Sequence, residues 1–193
     1  MMLRKFLGKI SDMVKDKPLL SVLLLGLIVR LLAAIFSKGF LTLDDHHNFV
    51  IDADMIASGI PLQPDYKDSA FFPGIGALVM IVGRALGNTS PDIEMLTLRI
   101  FQGIFSLLAV FFVFRILEKT VYKSAATIGG ILTAVLFIIP ITAVHQFEEA
   151  FCQIPLLASI WLITKMSPAS ITVFVKVKLT VVEAANAAAS NVI

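Results

Sequence analysis

The chain has 193 residues, 58% of them apolar and 16% charged, with a formal net charge of +2 and a mean hydropathy of +0.90. Soluble domains carry about 45–50% apolar and about 25% charged residues, so this composition excludes an ordinary soluble domain and predicts a membrane protein. The small net charge, with no basic stripe, excludes nucleic acid as a partner, and a single cysteine, Cys152, excludes an intramolecular disulfide.

Residues 1–17 form a basic N-terminus (Arg4, Lys5, Lys9, Lys15, Lys17) ahead of a nearly continuous apolar run, Pro18–Phe36. That run exceeds the h-region of a signal peptide, about 7–15 residues. At about 1.5 Å per residue it is long enough to cross a hydrocarbon core of about 30 Å. A loop over 37–70 follows, rich in aspartate: Asp44, Asp45, Asp52, Asp54, Asp65 and Asp68. Gly59, Pro61 and Pro64 divide it into a short helix, about Asp45–Ser58, and an extended piece. Phe71–Gly87 is apolar but short, and carries Pro73, Gly74, Gly76, Gly83 and Arg84. Thr97–Leu117, Ser124–Thr142 and about Ala150–Thr164 are the remaining apolar segments. Residues 166–193 differ in kind. Ile171, Val173, Val175, Val177, Leu179 and Val181 alternate with more polar residues at a period of two, a pattern expected of a truncated, frameshifted or appended end rather than a second domain.

Charge decides the topology. If Phe71–Gly87 crossed the membrane, Arg115, Lys119 and Lys123 would lie opposite the basic N-terminus, against the excess of Lys and Arg on cytoplasmic loops. If it lies along or dips into the interface, the N-terminus, Arg115–Lys123 and Lys165 share the cytoplasmic side. The expected fold is therefore an all-α membrane protein within 18–165. It has about four transmembrane helices plus one or two juxtamembrane or re-entrant helices in the first external loop. The aspartate loop and the polar knot His145-Gln146-Phe147-Glu148-Glu149 then share the outer face of a multi-pass protein, with a bacterial plasma membrane as the expected location.

The run Asp44-Asp45-His46-His47-Asn48-Phe49 is the main concentration of reactive groups. Asp44 is placed either to cap a helix opening at Asp45 or, like Asp45, to act as a general base on an acceptor hydroxyl. Asp44 and His46 are also candidate ligands for a divalent cation. Adjacent residues on a helix diverge by about 100°, so one or two of the four at most reach a single ion unaided. Arg30 interrupts the first span and either serves function or snorkels to the interface. Arg84 and Arg99 flank the Gly87–Pro91 turn and suit a phosphate or ordinary interfacial anchoring. Glu148 and Glu149 open the last apolar segment, where the helix dipole favours a carboxylate; beside His145 they are also candidates for a site.

Taken in order, these parts resemble the GT-C integral-membrane glycosyltransferases. The shared features are Arg30 in the first helix and Asp44-Asp45 with His46 opening an external loop beside a surface helix. Phe71-Phe72-Pro73-Gly74 then enters an apolar segment ending at Leu86-Gly87, Arg99 opens the next helix, and Glu148 or Glu149 stands at a later acidic position. The Asp-Asp-His-His-Asn-Phe run is similar to the Asp-Glu-His-Phe-type signature of mannosyltransferase branches. The resemblance covers about 18–165. It implies transfer of a sugar from a polyprenyl-phosphate donor to an acceptor on the outer face. In that reading Asp45 or Asp44 is the base, and His46, Arg99, Arg84, Arg30, Glu148 and Glu149 bind substrate. Members of the family have eight or more transmembrane helices, so the chain is expected to be an N-terminal fragment. The alternative is a non-enzymatic membrane subunit or transporter half that binds a cation or a partner through the acidic loop.

Overall fold

A computed structural model describes residues 15–38, 49–62, 70–88, 90–136, 138–145 and 148–166, and these are helical throughout their regular elements. Helix α1 spans Pro18–Phe36, α2 Asp52–Ala57, α3 Phe71–Ala85, α4 Pro91–Thr120, α5 Lys123–Val135, α6 Ile138–Val144 and α7 Glu148–Lys165. Asp44, Asp45 and His46 lie outside the described residues, as does the alternating tail.

Helix α4 is the shaft of the bundle. It begins six residues earlier than its hydropathy suggests, because Pro91 fits a first helical turn and Asp92 and Glu94 favour the positive end of the helix. Its 30 residues extend about 45 Å, about 15 Å more than a hydrocarbon core. Helix α1 runs antiparallel to it. Gly26 packs on Leu107, Arg30 on Gly103 and Ser106, and Val22 shares a buried cluster with Val110 and Phe114. Phe36 lies about 9 Å beyond Arg30 along α1, which leaves the first turns of α4 projecting past the end of that helix.

Two described helices, α1 and α4, are long and apolar enough to cross a membrane. The expected count of four is not reached on this basis. Ser124–Thr142 is divided into α5 and α6, which meet at a bend of 55° and together qualify as one broken span. Pro140 accounts for the break: its ring lacks an N–H and, in a continuous helix, would collide with the carbonyl four residues back, at Leu136, where the backbone turns extended (φ −58°, ψ 113°). Helix α7 offers a shorter apolar stretch, Ala150–Lys165, and α3 is shorter still.

Small residues set the helix spacing. Ala126, Gly130 and Ala134 are buried at four-residue intervals on one face of α5. This is the small-xxx-small pattern that lets helix backbones approach without lipid between them. A Cβ on Gly130 would lie 2.9 Å from Val22 of α1 and 3.2 Å from Phe114 of α4.

Charge separates the two ends of the bundle. At one end stand Lys15 and Lys17 before α1, Arg115 and Lys119 at the close of α4, Lys123 opening α5 and Lys165 closing α7; this is the basic end. Asp16 and Glu118 offset part of that charge; at the other end stand Asp52, Asp54, Asp92 and Glu94 with Lys38 and Arg84, the acidic end. Helices α2 and α3 pack on α4 only there. Arg84 meets Glu94, Met80 shares a cluster with Leu98, and Phe72 reaches Phe151 of α7, which stacks on Phe105 at 4.6 Å. Helix α3 thus runs beside the acidic half of α4 and buries one side, while Phe71, Leu78, Ile81, Val82 and Leu86 on the other side stay exposed.

Candidate functional site

Inside an otherwise apolar bundle, α4 carries Arg99, Gln102 and Ser106 at spacings of three and four. These are the intervals that put side chains on one helical face, and all three are buried. Sequence reasoning singled out Arg99 but not Gln102 or Ser106; their spacing within an apolar run was the available signal. Arg30 of α1 meets this face. It is 1% exposed, so it does not snorkel to the interface, which was one of its two sequence readings. Nε donates to Ser106 Oγ at 2.7 Å, and Ser106 in turn donates to the Gly103 carbonyl at 2.7 Å. Nη1 donates to the carbonyls of Ala134 at 3.3 Å and Gly26 at 3.4 Å.

The Ala134 contact has a local cause. Ala134 lies in the last turn of α5, where carbonyls lack a partner within the helix and the helix dipole attracts a cation. The bend that interrupts the span therefore presents an acceptor that Arg30 can reach. Gly103 makes the approach possible: a Cβ there would lie 3.2 Å from Val144 and 3.6 Å from the Arg30 Cβ. No carboxylate among the described residues pairs with Arg30, and its Nη2 has no hydrogen-bond partner. Arg30 is thus a buried cation held by three neutral oxygens, with one N–H edge left over.

Towards the acidic end of this group, His145 is 4% exposed, and its Nε2 lies 3.0 Å from Ser37 Oγ just past α1. Glu148 and Glu149 open α7 three and four residues further on; their side chains lie outside the described set. The structure thus brings Arg30 and Arg99 onto facing helices and places the start of α7 at the same end as Ser37.

Arg84 is placed differently. Its Nε and Nη2 form a bidentate pair with Glu94 at 2.6 and 3.1 Å, Nη2 also meets Asp54, and Nη1 donates to Ser58 at 3.2 Å. These bonds, that with Glu94 first and that with Asp54 second, raise the guanidinium pKa well above its ordinary value. Arg84 is therefore engaged by two carboxylates. It joins α2 and α3 to the start of α4. The Asp54 arm is solvent-exposed and contributes no more than about 1 kcal/mol, so most of the attachment comes from the apolar cluster beneath it. That cluster includes Phe49, Val50, Ala53, Phe72, Met80 and Leu98. Phe49, the residue that ends the Asp44–Asn48 run, is seated on Phe72 with ring centroids 4.3 Å apart. It occupies a niche that exists only because residue 76 is glycine: a Cβ there would lie 2.6 Å from the Phe49 ring. A cleft of about 640 Å³ opens between these elements, lined among others by Val50, Asp54, Met80, Arg84, Glu94 and Met95.

No group of three or more metal-ligating side chains occurs among the described residues; the possible cation ligands Asp44 and His46 are outside them. Comparison with protein-family models, with curated proteins and with solved structures finds no match to this chain.

Proposed function

We propose that the chain belongs to a membrane glycosyltransferase that moves a sugar from a polyprenyl-phosphate donor to an acceptor hydroxyl at the acidic end of the bundle. The observation that supports this most is Arg30: a desolvated guanidinium, oriented by Ser106 and Ala134, with Nη2 unengaged. An isolated buried cation is a costly feature for packing alone. An anionic lipid headgroup supplies the missing counter-charge.

In this reading Arg30 and Arg99 bind the phosphate, and α5–α6 and α7 complete four crossings, with α3 dipping into the outer leaflet on its exposed apolar side. The acidic end faces outward, which puts the basic N-terminus in the cytoplasm. Asp45, or Asp44, accepts the proton of the acceptor hydroxyl as its oxygen attacks the anomeric carbon. The bond from that carbon to the phosphate oxygen breaks, and the polyprenyl phosphate leaves with its added charge facing the guanidinium groups. His46, Glu148 and Glu149 complete the polar surface around the sugar.

Removing a positioned general base lowers a rate by about 10²–10⁴-fold. Asp45→Asn is expected to lose transfer from a polyprenyl-phosphate sugar to that extent, with Asp44→Asn affecting it less if Asp44 only caps the helix. Radiolabelled sugar transfer, normalised to the amount of protein in the membrane, measures this. Transfer retained by the Asp44→Asn/Asp45→Asn double variant overturns the reading.

A further inference from the structure

We propose that the basic end of the bundle carries a seat for the headgroup of an anionic phospholipid, formed where α4 and α7 finish side by side. The two helices run in the same direction: Phe105 stacks on Phe151 near the start of α7, and Phe111 and Phe112 meet Trp161 one helical stretch later, at 6.2 and 5.6 Å. Both chains of contact end in a cation. The Arg115 guanidinium lies 5.6 Å from the centre of the Phe111 ring, and Lys165 Nζ lies 3.8 Å from the centre of the Trp161 ring. Because Phe111 and Trp161 touch, the two cations flank one shared aromatic group.

A cation at the end of each helix is favoured by the helix dipole, but that alone does not gather two onto joined rings. Tryptophan and basic residues at a span's end are placed at the depth of lipid headgroups, where the ring lies against glycerol and upper acyl chain and the cations reach phosphate. The competing partner of Arg115 is Glu118, at 2.9 Å, one turn along the same helix. Both are substantially exposed, and such a pair contributes a few tenths of a kcal/mol. A phosphate at Arg115 competes with this weak pair, and Lys165 on the adjoining ring adds a second positive charge to the seat. Lys119, four residues beyond Arg115 and exposed, adds to the field without an aromatic partner. The occupant fitted by this arrangement is a phospholipid with net negative charge, such as a phosphatidylglycerol. A zwitterionic lipid brings its own cation into a field that is already positive. The seat is independent of any chemistry at the acidic end.

Trp161 is the only tryptophan in the chain, so its fluorescence reports this seat directly. With the full chain in neutral detergent micelles, added phosphatidylglycerol is expected to change Trp161 emission and saturate, whereas phosphatidylcholine does not. A basic residue in direct reach of the headgroup phosphate contributes about 1 kcal/mol, about fivefold in affinity. Lys165→Gln is therefore expected to raise the half-saturating phosphatidylglycerol about fivefold and Arg115→Gln/Lys165→Gln about 25-fold, with helix content by circular dichroism unchanged. Lys123→Gln, on α5, leaves it within twofold. Three results overturn the proposal: an equal response to phosphatidylcholine, an unchanged half-saturation in the double variant, or an equal shift in Lys123→Gln, which shows a diffuse charge effect. Sodium phosphate alone is expected to give no saturable response; if it reproduces the change, the site binds free phosphate and not a lipid.

Discussion

Replacing Arg30 with methionine is expected to make the bundle more stable and less able to bind an anionic lipid. The stability half follows from the bonds that hold Arg30. Of its three acceptors only Ser106 is at full hydrogen-bond strength, at 2.7 Å; the carbonyls of Ala134 and Gly26 are at 3.3 and 3.4 Å, beyond the usual range of about 2.7–3.2 Å. Ser106 keeps its own bond to Gly103 when Arg30 is gone. Against these modest losses stands the desolvation of a cation with no carboxylate partner among the described residues. Exchanging buried charges for apolar side chains of similar volume stabilises proteins by about 1–4 kcal/mol in favourable cases. A net gain of about 1–2 kcal/mol is expected here, read as a raised thermal midpoint in detergent. The binding half follows from Nη2: a hydrogen bond to a charged group contributes about 1.5–3 kcal/mol, so titration with polyprenyl phosphate should show at least about tenfold weaker binding. A lowered midpoint with binding intact assigns Arg30 to structure and removes the main support for the transferase reading.

Gly130→Val is expected to be strongly damaging where α1, α4 and α5 meet. A Cβ at this position already lies 2.9 Å from Val22 and 3.2 Å from Phe114, and valine adds two methyl groups where α1, α4 and α5 meet. Overpacking of this kind costs about 1–3 kcal/mol, occasionally more. Gly74 is the internal control, since nothing lies within 4 Å of a Cβ there and alanine is the better helix former by about 0.8–1.0 kcal/mol. Limited proteolysis in detergent distinguishes them. Gly74→Ala should keep a resistant core, and Gly130→Val should lose it; equal resistance in the two variants shows that α5 is not held at this crossing.

Much of the helical layout was legible in hydropathy, because lipid permits few alternatives to a helix. Pro18–Phe36 has the same bounds in sequence and structure, α3 starts at the expected Phe71 and ends two residues early, and α7 differs by one to two residues at its ends. What escaped has identifiable causes. The start of α4 was lost because Ser90-Pro91-Asp92 is polar; it reads as loop by hydropathy and as helix start by capping. Gly129-Gly130 in a span reads as weakness until the partners that use the space are known. The charged residues were the least legible. Arg30, Arg84 and Arg99 look alike in sequence, each beside or within an apolar run. Their fates diverge only through residues 10 to 104 positions away: Glu94 and Asp54 for Arg84, Ser106 and Ala134 for Arg30. The acidic run Asp44–Asn48 remains a reading from sequence, anchored in the structure at its last neighbour, Phe49.

The two buried clusters have different membership and share one helix, α4. Phe49, Val50, Ala53, Phe72, Met80 and Leu98 form one; Val22, Val110, Phe114, Ala126 and Ala134 form the other. Helix α4 passes through both, contributing Leu98 to the first and Val110 and Phe114 to the second. Native proteins open in cooperative units that follow such boundaries. The buried packing is divided into two clusters strung on one helix. The acidic-end cluster rests on α4 through Leu98 and on α7 through the contact of Phe72 with Phe151, and it is expected to open more readily than the crossing helices. Backbone amides of α2 and α3 then exchange with solvent by a local route, and those facing the Val110–Phe114 cluster exchange only when the bundle itself opens.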